Sequence, residues 1–175
     1  AEKALIYADW SRTTYRRGEI AEARQLATQS LKLAEASQSA PALAQAYNNL
    51  GILARANGNY PAAIQHLQHS LEIAQTLADA GRQAAALNNL ARVYAESEQI
   101  EEAIHLTGQA LEICQQRGDY HREAALHNNL ADLYHNSGQE DAAMQHLRKS
   151  VVMMAEIGGL PGGESQPEIW KLVEW

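Results

Sequence analysis

The stretch "AYNNLGILARANGNY", Ala46–Tyr60, sets two adjacent asparagines inside what otherwise reads as a helix. Asparagine is a mediocre helix former, because its side chain competes for nearby backbone groups. Yet the same Asn-Asn-Leu returns at Asn88-Asn89-Leu90 and at Asn128-Asn129-Leu130, forty residues further on each time. An awkward pair that recurs at one phase marks an internal repeat, and the repeat decides the fold.

Laying the chain on itself at that offset gives clear columns. One holds Leu50, Leu90 and Leu130, with Trp10 in phase. A second holds Ala23, Ala63, Ala103 and Ala143, and a third Leu31, Leu71, Leu111 and Val151. A fourth, Ala34, Ala74, Cys114 and Met154, is small to medium and apolar. The boundaries fall near 4–42, 43–82, 83–122 and 123–157, with the first unit the most divergent.

Each unit reads as two helices. In the second, Tyr47, Leu50, Gly51 and Ala54 form a stripe at helical spacing. "NGNYP" then breaks the pattern, with Gly58 suited to a left-handed C-cap. A second helix follows from about Pro61, with Ala63, Ile64, Leu67, Leu71 and Ala74 as its stripe. The turn glycine recurs as Gly18 and Gly138, but the third unit has Glu98, at an expected cost of about 1 kcal/mol if that site is left-handed.

The spacing resembles the tetratricopeptide repeat. The residues that carry the likeness are Leu50-Gly51, Leu90-Ala91 and Leu130-Ala131, then Tyr94 and Tyr134, the turn glycines, and Ala63, Ala103 and Ala143. The forty-residue form, with its "NNLA" and "ALEI", resembles kinesin light chains and the arrays attached to bacterial signalling ATPases. The resemblance implies an all-α fold, a right-handed superhelical solenoid of helix-turn-helix units. A solenoid unit cannot bury its apolar face alone, so a terminal cap is expected. After a Gly/Pro linker over 158–164, Ser165 and Glu168 stand in capping-box spacing and Ile169, Trp170, Leu172 and Val173 give an apolar face. A C-terminal capping helix over 165–175 is expected to pack back on the fourth unit.

On a helical wheel, Asn49 points nearly opposite to the Tyr47–Leu50–Gly51–Ala54 cluster, while Asn48 lies on the flank beside Arg55. Asn49, Asn89 and Asn129 are therefore expected to line a concave groove, where an amide that both donates and accepts can hold an extended peptide by its backbone. In peptide-binding members of the resembling family an asparagine at this phase does so. Asn48, Asn88 and Asn128, on the flank, are counted with the groove as well, with two readings: contact with the ligand, or hydrogen bonds to the neighbouring helix that fix its stacking, the second favoured. Replacing Asn49, Asn89 and Asn129 by alanine is then expected to leave melting nearly intact. Arg12, Arg16, Arg55 and Arg92 fall near the groove phase, against Asp9, Glu96 and Asp132. They would favour an acidic or phosphorylated segment, since arginine pairs carboxylate and phosphate bidentately. The alternative is that they are solvated or pair with neighbouring acids.

The net charge of -7 argues against a general nucleic-acid binder, and no apolar run approaches a membrane span. The single cysteine, Cys114, sits in an apolar column and permits no internal disulfide, which points to a reducing cytoplasm. Among seven histidines, His66 and His69 are three apart and His127 and His135 eight apart, neither pair with a third ligand at metal spacing. No phosphate loop is present. The expectation is no enzyme, no metal and no cofactor.

"AEKALIYADW" has no starting methionine and is read as the interior of a larger protein. The tail "PEIWKLVEW" is similar to the carboxyl ends of bacterial signal-transduction ATPases with numerous domains. That resemblance implies a sensor arm whose partners are a protein or peptide segment and other domains of the same parent chain. A free-standing adaptor and a self-associating structural array are the competing readings.

Overall fold

In the computed structural model, which describes residues 1–158, eight helices are present among the described residues. They are α1 (Glu2–Arg16), α2 (Ile20–Ala36), α3 (Ala40–Ala56), α4 (Tyr60–Thr76), α5 (Ala80–Glu96), α6 (Ile100–Arg117), α7 (Tyr120–Asn136) and α8 (Glu140–Ile157). The fold is all-α. The expected capping helix over 165–175, and the linker before it from residue 159 on, lie outside the described residues.

The joints between helices are nearly identical. Each connection is two or three residues long and holds one residue with positive φ. These are Gly18, Gln38, Gly58, Ala78, Glu98, Gly118 and Gly138, one every twenty residues. After each, the next N–H reaches back five residues to a helix carbonyl. Asn59 N donates to Ala54 O at 2.9 Å, and Gln139 N to Tyr134 O at 2.8 Å. This is the Schellman closure, which satisfies carbonyls that the helix end leaves open. Sequence anticipates the left-handed residue within each unit, including Glu98, whose φ is 64°. It does not anticipate the matching one between units, because Gln38 and Ala78 carry no glycine signal.

The chain divides into two compact parts, Ala1–Val93 and the part from Tyr94 onward. In the first, α1 packs on α2 and α3 on α4 as antiparallel hairpins, and α3 also packs on both α1 and α2. The antiparallel sense follows from two hydroxyl bonds across the first hairpin. Ser30 Oγ, late in α2, donates to Ala4 O early in α1 at 2.7 Å, and Ser11 Oγ donates to Ala23 O at 2.8 Å. Ser70 Oγ repeats the first of these, to Ala44 O at 2.8 Å, forty residues on. A serine inside a helix usually bonds its own backbone, and here the bond is spent across the hairpin instead.

Alanine sets the spacing. Ala4, Ala8, Ala23, Ala27, Ala34, Ala42, Ala44, Ala46 and Ala63 are all fully buried. Gly51 takes the principle to its limit, because a Cβ there would stand 2.5 Å from Leu67 Cγ. Small residues let backbones approach, and Leu67 fills the space that Gly51 leaves. A cluster of Ala23, Ala27 and Leu53, with Tyr15, Ile20 and Leu50 against it, joins the first hairpin to α3. In the second part, α7 packs on α6 and on α8. Its core includes Ala103, Leu106, Ala110, Leu111, Cys114, Ala124, Leu126 and Leu130.

Two outcomes follow. Ala78→Gly and Glu98→Gly should each raise stability by up to about 1 kcal/mol in denaturant melts, by removing a Cβ from a left-handed residue. Gly51→Ala should lower it by about 1–3 kcal/mol, because Leu67 must leave its pocket. A stabilised Gly51→Ala would show that this contact is looser than its geometry.

Candidate functional site

The first helices of a repeat array carry its candidate binding face, so the asparagine doublets are the place to begin. In the first part, Asn49 is 5% exposed and its Nδ2 donates to Ala8 O on α1 at 2.6 Å. Asn89 is 2% exposed and its Nδ2 donates to Asn48 Oδ1 at 3.0 Å. Both bonds span forty-one residues. The second asparagine of a doublet therefore reaches back to the preceding first helix, one residue short of its own phase. At that place α1 offers a backbone carbonyl and α3 offers the first asparagine of its own doublet.

This corrects the wheel. Asn49 and Asn89 do not point away from the packed side of their helices. A wheel with one buried stripe describes a helix lying on a single layer, whereas α3 touches α4, α2 and α1. The arc opposite Gly51 is a second interface. Asn88 is buried as well, at 1% exposure, and Asn48 is half-buried. In the second part, Asn128 and Asn129 are half-buried, and Asn129 has an interaction partner.

The arginines divide. Arg12 is exposed and its Nη2 pairs with Asp9 Oδ1 at 3.2 Å. Gln45 Nε2 donates to that same oxygen at 2.7 Å, so α1 and α3 share a polar cluster at the surface. Arg16 is exposed and Arg92 half-buried, and each has a partner. Arg55 is buried at 8% exposure and also has a partner, so it does not stand on an open face. Beside the Asp9–Arg12–Gln45 cluster lies a small, shallow indentation open to solvent. Ser11, Arg12 and Tyr15 of α1 and Asn49, Ile52 and Leu53 of α3 line it. It has an apolar floor and one charged wall.

A different cluster escaped the sequence altogether. His127 on α7 and His146 on α8 face each other with Nδ1···Nδ1 at 2.9 Å, and Tyr134 stacks on His146 with ring centroids 5.3 Å apart. One imidazole must donate and the other accept, so the bond needs at least one neutral ring and is lost when both are protonated. Burial, aided by the charges of His146 and Lys149, pushes His127 down to about 4. Burial lowers His146 as well, with Lys149 adding to the effect. Glu123 Oε1 stands 4.0 Å from His127 Nε2 on the other side. The sequence did hold a signal. His127 shares a column with Tyr47 and Leu87, and His146 shares one with Leu26, His66 and Leu106, so the fourth unit alone has histidine at both positions. Among the described residues, no group of three or more His, Cys, Asp or Glu side chains is placed to hold a metal ion. Cys114 is buried, and burial with the nearby Asp119 charge pushes its thiol up to about 11, which keeps it protonated. None of the described helices is long and apolar enough to cross a membrane.

The tetratricopeptide-repeat family model matches residues 2–76 and 82–155. The chain is a tetratricopeptide-repeat protein. Solved structures agree on the fold of this tetratricopeptide-repeat chain. It is similar to the nearly identical TPR-like repeats of a Podosopora anserina kinesin light chain, at 21% identity and a TM-score of 0.74, over 96% of this chain and 81% of that one. It is similar to aspartyl phosphate phosphatase F from Bacillus subtilis, at 17% identity and 0.83, over 91% of this chain and 42% of that one. A signal transduction ATPase with numerous domains from Pyrococcus horikoshii, with a tetratricopeptide repeat sensor, matches at 17% identity and 0.76, over 90% of this chain and 24% of that one. The chain thus spans less than half of the phosphatase and about a quarter of the ATPase, and at these identities the likeness is one of fold. No curated protein sequence matches the chain.

Asn49→Ala should cost about 1–3 kcal/mol in thermal or denaturant melts, because it removes a buried amide bond between α3 and α1 and leaves a void where the side chain packed. Intact melting would return Asn49 to a surface role. For the histidine pair the folded-state pKa is depressed, so its stabilising effect is complete above pH 6.5 and is lost as pH falls from there towards about 4. Melting temperature should drop across that window in the wild type. The drop should be smaller in a His127→Leu, His146→Leu variant, which carries the residues of Leu87 and Leu106 at the same phases.

Proposed function

We propose that this chain is a protein-interaction module that holds an extended peptide or protein segment along the face shared by α1 and α3. The observation that supports the reading is the depression between those helices, with Ile52 and Leu53 lining it and the Asp9–Arg12–Gln45 cluster beside it. Repeat arrays of this kind present extended surfaces of scattered polar groups. The segment's backbone meets the amide of Gln45, and a carboxylate or phosphate on the segment displaces Asp9 from Arg12. Asn49 serves here as a wall of the depression, with its donor already engaged by Ala8. Arg16 and Arg92 extend the charged part of the face, and Asn89 with Asn48 fixes its shape.

In this reading the array is the sensor or regulatory arm of a larger bacterial signalling ATPase, in the cytoplasm, and contains no active site of its own. Its likeness to the repeat sensor of the Pyrococcus horikoshii protein supports that parentage. A free-standing adaptor would use the same face.

A fluorescence-anisotropy screen of acidic and neutral extended peptides tests the proposal. Tight binders should be acidic, and Arg12→Ala or Gln45→Ala should weaken them by about tenfold, the size of one lost charge-assisted hydrogen bond. Circular dichroism should stay unchanged in both variants, since Arg12 is exposed and Gln45 only half-buried. Binding that ignores both substitutions would place the ligand elsewhere.

A further inference from the structure

The histidine pair on α7 and α8 presents two like nitrogens to each other. His127 Nδ1 and His146 Nδ1 stand 2.9 Å apart. Two imidazole nitrogens bound to one ion at about 2.0 Å lie about 2.8 Å apart at a right angle, and about 3.3 Å apart at the tetrahedral angle. The observed separation is that of neighbouring corners of a square. Divalent copper and nickel favour that arrangement, whereas zinc favours the tetrahedron.

The surroundings orient both rings. Glu123 Oε1 lies 4.0 Å from His127 Nε2, and Gln115 Nε2 of α6 donates to that same oxygen at 3.1 Å. A carboxylate on that side favours the tautomer with the proton on Nε2 and leaves the Nδ1 lone pair towards His146, as the outer carboxylate of a metal-bound histidine does. Tyr134 stacks on His146 with the rings inclined by 27°, which sets the plane of the second imidazole. His127 is 3% exposed and His146 half-buried, so one ligand is anchored in the core while the other borders solvent. Burial lowers the pKa of both rings, so protons do not compete for the nitrogens at neutral pH. Lys149 on α8 is the charge that opposes a cation, and it is exposed, where water and salt screen it. Earlier units lack the pair. The same two columns hold Tyr7 and Leu26, Tyr47 and His66, and Leu87 and Leu106.

We propose that His127 and His146 form a two-histidine site for a divalent late transition-metal ion of the copper or nickel class, bound through both Nδ1 atoms. No third His, Cys, Asp or Glu side chain joins them among the described residues, so water fills the remaining positions. With His127 protonated on Nε2, the metal-free bond has His146 donating from Nδ1. When the ion binds, that proton leaves for solvent and His146 Nε2 takes one up, so binding releases no net proton at neutral pH. The expectation of no metal came from ligand spacing along single helices, whereas this pair is joined between helices, across nineteen residues. The site is independent of which ligand the α1–α3 face takes.

Titration of the full chain with copper(II) sulfate at neutral pH, followed by electron paramagnetic resonance, decides. The first equivalent should give an axial spectrum with splitting from two nitrogens. Its affinity should fall by about 10–100-fold in His146→Gln, which keeps a polar side chain against His127 but removes one ligand. His146 is half-buried, so this variant folds, which circular dichroism verifies. The other pair of close histidines is the control: His66→Leu, His69→Leu should bind the first equivalent as the wild type does. Nickel should raise the melting temperature of the wild type and leave that of His146→Gln unchanged. Equal copper affinity in the wild type and His146→Gln would overturn the proposal and place the ion on other histidines. A first equivalent lost in His66→Leu, His69→Leu would overturn it as well.

Discussion

The amide of Asn49 bonded to the Ala8 carbonyl is a constraint that reaches through the first part of the chain. A helix hairpin of this size cannot bury its apolar side alone, so it must settle on its neighbour in one register. Apolar contact between alanines is nearly featureless and would tolerate sliding. A buried amide does not, because a shift of one residue leaves its donor unpaired at a cost of about 1–3 kcal/mol. The Asn89–Asn48 bond repeats the constraint one unit later, and the serine bonds to Ala4 and Ala44 impose a similar one inside each hairpin. Close alanine packing supplies the attraction, and directional polar groups select the alignment.

That division of labour explains what was legible in the sequence. The helices, the turn residues of each unit and the alanine columns could be read because each depends on residues near in sequence or on a period that repeats. Glu98 could be foreseen as a left-handed residue because three glycines share its column. The facing of Asn49 could not, since it depends on α1 lying behind α3, and a wheel of one helix contains no neighbour. Arg55 was misplaced towards an open face for the same reason. The histidine pair was missed because its members lie nineteen residues apart on different helices. Only reading two columns together would have shown histidine at both positions in the fourth unit.

The consequences for function follow from which polar groups are already used. A side chain that fixes the stack is a poor ligand contact, because binding would have to break the bond that holds the helix. Arg12 and Asp9, which are exposed, and the half-buried Gln45 carry no such burden and can exchange partners at little cost. The surface is therefore rigid in its backbone and adaptable at its rim. The last hairpin differs in kind, since its alignment includes a proton-sensitive contact and its second helix leaves an apolar stripe in view.

A double-mutant cycle on Asn48→Ala and Asn89→Ala, followed by denaturant unfolding, tests the stacking role of the doublet most directly. Each change should destabilise, and the second should cost less once the first is made, with a coupling of about 0.5–3 kcal/mol. Strictly additive losses, or no loss at all, would mean that the two amides do not hold the helices together and that the doublet must be explained by what it binds.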